Sequence, residues 1–157
     1  CNGVFLDEFN TVSFSGNDGT LAWSNDWQEI GESDGPGSGD IVVSNNLRLQ
    51  DNDNGGEGVM RTADLSRAQK AALSMDATTS GLDSSSDYVD VLISADGESG
   101  PWEQLQRIAG PSNTVDIKVS HDISKFLSAN TTVRLITSPS MGGSDRVYFD
   151  NVQIECK

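Results

Sequence analysis

Cysteine occurs twice in this 157-residue chain, as Cys1 and Cys156, and that placement limits the topology more than any other feature. A bridge between the two closes almost the whole chain into one loop. In the loop-entropy account such a closure removes roughly 4–5 kcal/mol of unfolded-state freedom. Bridges of this kind persist in exported proteins and are rare in the reducing cytosol. A Cys1–Cys156 disulfide is therefore expected, with two terminal strands as neighbours. A lipid-modified Cys1 is the rival reading, and it would leave Cys156 odd. Neither cysteine has metal-ligand spacing, which argues against zinc. The start at Cys1 is read as a mature fragment or a domain cut from a longer exported protein. There is no signal peptide and no apolar run of the roughly 18 residues that a spanning helix needs.

Short strand-like segments recur along the chain, each bounded by Gly, Asn, Asp or Pro. They are Val4-Phe5-Leu6, Ile41-Val42-Val43, Leu47-Arg48-Leu49, Gly58 to Thr62, Ala71 to Ala77, Tyr88 to Ser94, Trp102 to Ile108, Val115 to Val119, Thr132 to Ile136 and Val147 to Ile154. Ser44-Asn45-Asn46 joins two of them with a hairpin signature. One helical turn is predicted over Asp122 to Leu127, capped by Ser120. Long helices do not alternate with strands, so a parallel α/β sheet is disfavoured. The economical answer is an all-β fold, one domain over residues 1–157, built as a two-sheet antiparallel jelly-roll sandwich. Trp23 and Trp27, in a turn-rich segment, are expected to plug its core.

The charge balance is 10 basic against 24 acidic residues, a net charge of −14. Nucleic acid and anionic membrane are poor partners for such a surface, because both are bound by neutralising phosphate with Lys and Arg. The acidity serves solubility, cation binding or both. Asx-Gly clusters recur at Asn17-Asp18-Gly19, Asp34-Gly35, Asp51-Asn52-Asp53-Asn54-Gly55 and near Asp83. Each offers oxygens for calcium, and each is also ordinary turn chemistry. A second calcium site in the loop from Asp51 to Asn54 is a further expectation.

Laid end to end, these features resemble a known pattern. An N-terminal strand ends in Asp7-Glu8, a Gly16-Asn17-Asp18-Gly19-Thr20 loop and two tryptophans follow, and the last strand reads Phe149-Asp150-Asn151-Val152. The series resembles a jelly-roll domain of exported bacterial surface proteins and secreted hydrolases, similar in outline to MAM domains and to calcium-binding carbohydrate-binding modules. The resemblance implies a structural calcium near the chain ends, held by Asp7 or Glu8, by the Asn17-Asp18 loop and by Asp150, with Asp40 as a further candidate. It also implies an extracellular or cell-surface binding or adhesive module. Its partner would be a polysaccharide or a cell-surface glycan or protein; a spacer domain of a surface adhesin, without a small ligand, is the alternative.

Sugar binding calls for exposed aromatics that stack on the ring, backed by polar groups. Trp102 and Tyr88 are the candidates. Trp102 follows Ser94-Ala95-Asp96-Gly97, much as in a β-hairpin box, where the Trp is structural. Catalysis finds little footing. His121 is the single histidine, beside Asp122, and no Gly-x-Ser-x-Gly elbow or phosphate-binding loop accompanies it. No pair of carboxylates is singled out for glycosidic cleavage. The chain is expected not to be an enzyme. Asn130-Thr131-Thr132 matches a glycosylation acceptor and reads as a turn before a strand.

Overall fold

The computed structural model describes residues 1–51, 56–112 and 114–157. Eleven strands run through these: β1 (Gly3–Asp7), β2 (Gln28–Ile30), β3 (Ile41–Val43), β4 (Leu47–Leu49), β5 (Gly58–Ala63), β6 (Ala71–Ser80), β7 (Tyr88–Ser94), β8 (Glu103–Ala109), β9 (Val115–Asp122), β10 (Thr131–Thr137) and β11 (Arg146–Cys156). All strand pairs are antiparallel. One sheet has the order β3-β4-β11-β6-β9 with β1 also paired to β11; the other has the order β2-β5-β10-β7-β8. This is the expected all-β jelly-roll sandwich.

Alternation builds each half of the core, because successive side chains on a strand point to opposite faces. On β6 every second residue is buried, including Leu73, Met75 and Ala77. The five-stranded sheet faces them with Val59, Val91, Ile93, Val133 and Leu135. Each such side chain contributes roughly 1.5–3 kcal/mol when fully removed from water. Trp23 and Trp27 are both buried, as expected, with ring centroids 6.1 Å apart.

The last strand carries an irregularity that organises its surroundings. Val147 and Phe149 are buried, and then Val152 and Ile154, so the buried phase slips by one residue between them. A register shift falls between Asp150 and Gln153, where Asn151 has φ 50°. This is a β-bulge, which bends the strand. Before the bulge β11 pairs with β4; after it the same edge pairs with β1, with Gly3 opposite Cys156. The terminal strands are thus neighbours, and Cys1 and Cys156 form the expected disulfide, Cα atoms 5.8 Å apart.

Two local expectations change. Gln28–Ile30 forms a strand that its mixed polarity conceals, held by pairing to β5. The helical turn contracts to a 3-10 turn at Ser124–Phe126. Ser120 does not cap it, because β9 runs on to Asp122 and places Ser120 in a strand; Asp122 accepts the Ser124 N–H instead, at 2.8 Å.

Candidate functional site

Asp7 ends β1 and lies in the core, fully buried. Its Oδ2 accepts from Arg61 Nη1 at 2.8 Å and from the Trp27 indole N–H at 3.0 Å, and its Oδ1 accepts from the Phe9 N–H at 2.9 Å. Arg61, on β5 of the opposite sheet, is 2% exposed and donates from Nε to the Asn25 carbonyl. Its guanidinium lies 4.9 Å from the Trp23 ring and 5.7 Å from that of Trp27. Burial pulls the Arg61 pKa down, and Asp7 opposes this. Gly16 makes the arrangement possible: a Cβ there would stand 2.3 Å from Asp7 Oδ1. Asp7 therefore has a cationic partner inside the protein.

The other chain-end candidates are spread around this pair. Glu8 is half-buried, and its N–H is accepted by Asp18 Oδ2 at 2.9 Å. Asn17 and Asp18 are exposed. Asp150 stands directly across from Asp76 on β6, which in turn pairs with Lys118 on β9. The Asp150 carboxyl is held above its usual range, first by burial and then by Asp76, Glu8 and Asp7. Asp7, Glu8, Asp18 and Asp150 form no group of three whose ligand atoms converge.

A converging group does exist, and of the expected metal residues it includes only Asp40. Among the described residues, the carboxylates of Glu32, Asp40 and Glu57 bring ligand oxygens within 4.8 Å of one another. Asp40 immediately precedes β3 and Glu57 immediately precedes β5, each 6% exposed. Glu32, in the β2–β3 connection, accepts the Asp40 N–H at 2.8 Å and the Ile41 N–H at 2.7 Å. Gln50 donates to Asp40 Oδ1 at 2.7 Å and accepts from Arg146 at 3.0 Å. Glu57 Oε2 is buried without a hydrogen-bond partner. Burial, then the neighbouring Asp40, then Asp51 and Glu32 push the Glu57 carboxyl up to about 8. Of the expected second site, Asp51 is fully buried and accepts from Thr137 Oγ1; Asn52 to Asn54 lie outside the described residues.

The outer face of the five-stranded sheet has a different character. Gln28, Met60, Arg134, Leu92 and Gln104 lie in one cross-strand row. Beside it, Asp90 holds Arg107 through two bonds of 2.7 and 2.8 Å. Both aromatic candidates are here and half-buried. The Arg107 guanidinium lies 3.6 Å from the Tyr88 ring centroid, and that of Arg134 5.3 Å from Trp102. Glu98, in the β7–β8 connection, accepts from Gln28 and Asn25 next to the opposite edge strand, so this connection walls one end of the face.

His121 Nε2 sits 2.8 Å from Gln106 Oε1, linking β9 to β8 across the sheets. Asn130 is exposed in the turn before β10. No helix among the described residues is long and apolar enough to cross a membrane. Sequence reasoning missed Glu32, Glu57 and Arg61. Arg61 and Glu57 share the phase of Val59, which marks the inward face of β5; nothing marks Glu32 in its glycine-rich loop.

No family model matches the chain, and no curated protein matches it. Solved structures do. The K1 cleaved adhesin domain of Lys-gingipain from Porphyromonas gingivalis W83 aligns with TM-score 0.60 at 16% identity over 98% of each chain. A family 15 xylan-binding module aligns with TM-score 0.57 at 15% identity, over 99% of this chain and 97% of that one. A family 22 carbohydrate-binding module from Clostridium thermocellum aligns with TM-score 0.56 at 13% identity, over 97% and 92%. These likenesses lend no support to the MAM side of the resemblance. They show that this chain has the jelly-roll fold found in bacterial adhesin domains and carbohydrate-binding modules.

Proposed function

We propose that this chain is an extracellular, non-catalytic binding module that recognises polysaccharide or cell-surface glycan through the outer face of its five-stranded sheet. The observation that carries the reading is the pairing of two half-buried aromatics with arginines on that one face, Trp102 with Arg134 and Tyr88 with Arg107. A sugar ring stacks its C–H face on an aromatic while its hydroxyls take bidentate donors and amides. Gln28 and Gln104 supply those partners along the same row. The fold shared with xylan-binding and other carbohydrate-binding modules supports the same reading. The disulfide fits an oxidising compartment.

A spacer or protein-adhesive role is the second reading, favoured by the likeness to the gingipain adhesin domains. A glycan array, followed by affinity electrophoresis against soluble xylan, mannan and β-glucan, separates the two. Binding by the parent that is lost in Trp102→Ala and Tyr88→Ala supports the first. Binding that survives both substitutions overturns this face as the site, and a silent array favours the spacer.

A further inference from the structure

The geometry points to a divalent-cation site, of the size and hardness of calcium, formed by Glu32, Asp40 and Glu57 at one end of the core. It is separate from the chain-end site expected around Asp7 and Asp150, of which Asp7 is paired with Arg61.

Convergence of acids alone would not establish a site, since surface carboxylates gather without ions. The further observation is Glu57. It is 94% removed from solvent, its Oε2 has no donor, and its carboxylate closes on Asp40. A buried carboxyl oxygen left without a hydrogen-bond partner is costly. Glu29, Glu32 and Glu57 take part in no ion pair among the described residues. A cation in the gap would satisfy Glu57 Oε2 and neutralise its neighbours in one step.

The ligands are also held in advance. Two backbone N–H groups orient Glu32, and the Gln50 amide, itself held by Arg146, orients Asp40. Each oxygen that accepts one such bond keeps a lone pair for a metal. The donor set is all oxygen, without His or Cys, which selects a hard cation over zinc or copper. The ligands come from a loop and two strand entrances, an irregular cage that suits calcium better than the strict octahedron of magnesium. A bound ion would tie the entrance of β3, in the six-stranded sheet, to the entrance of β5 in the other.

The test uses the whole chain, stripped with EDTA and titrated with calcium chloride. Calorimetry is expected to show binding, and melting is expected to shift upward by several degrees as calcium rises. Glu57→Gln and Asp40→Asn should each weaken calcium binding by roughly tenfold or more, because affinity follows ligand charge count. Asp150→Asn should keep the full calcium response. Parent protein that neither binds calcium nor shifts in melting overturns the site, as does a Glu57→Gln chain with an undiminished shift. If that variant fails to fold, Glu32→Gln takes its place under the same criteria.

Discussion

Asp7 and Arg61 form an ion pair 2.8 Å long across the two sheets, with both side chains removed from solvent. Removing one partner strands a charge in the core, at about 3–5 kcal/mol. Arg61→Met is therefore expected to lower stability by that amount, measured by urea denaturation. Replacing both, as Asp7→Leu with Arg61→Met, should recover part of the loss, because no charge is then left unpaired. A double variant that loses as much as the Asp7→Leu and Arg61→Met single variants added together would show that the pair is not coupled.

The terminal disulfide is expected to contribute roughly 4–5 kcal/mol through the unfolded chain. Cys1→Ser with Cys156→Ser should lower the denaturation midpoint accordingly. The intact mass of the parent should be unchanged by alkylation without reductant, since both sulfurs are bonded. Uptake of alkylating reagent would contradict the bridge.

Asp150 and Asp76 face each other in register, two like charges on adjacent strands. A carboxyl raised in the folded state binds more protons folded than unfolded, so its contribution turns unfavourable as pH rises above the usual 3.8. Asp150→Asn is expected to be more stable than the parent at pH 7, by on the order of 0.5 kcal/mol. The gain should fade toward pH 4. Denaturation series at both pH values, in chelator, check this, and a less stable variant at pH 7 would sink it.

Trp102 is half-exposed and Trp27 is buried against Asp7, so the two should separate binding from folding. Trp102→Ala is expected to shift stability by no more than about 1 kcal/mol, whereas Trp27→Ala should cost about 3–5 kcal/mol. Far- and near-ultraviolet circular dichroism with thermal melts distinguishes them.

Most strands were legible because burial writes itself as alternation or as short β-branched runs; Tyr88 to Ser94 and Thr132 to Ile136 are found where they are read. The bulge was also written there, as the slip from Val147 and Phe149 to Val152 and Ile154, though it takes the partner strands to give that slip meaning. The site was harder. An arginine in a strand reads as a solvated face, and Arg61 is buried because two tryptophans and Asp7 from other elements enclose it. Asp40 could be picked out as an acid at a strand entrance. Its companions Glu32 and Glu57 are 8 and 17 positions away, and only the closing of two sheets brings them together.

The change of neighbours along β11 has a consequence for assembly. Within its sheet the first strand pairs with the far half of the last one alone, so the opening residues have no ladder to join until the closing residues have been made. Such distant pairing is slow to form, and the early strand must wait unpaired meanwhile. The covalent link joins the ends of these same two strands, so in the oxidised chain the opening residues stay tethered beside the ladder they must join.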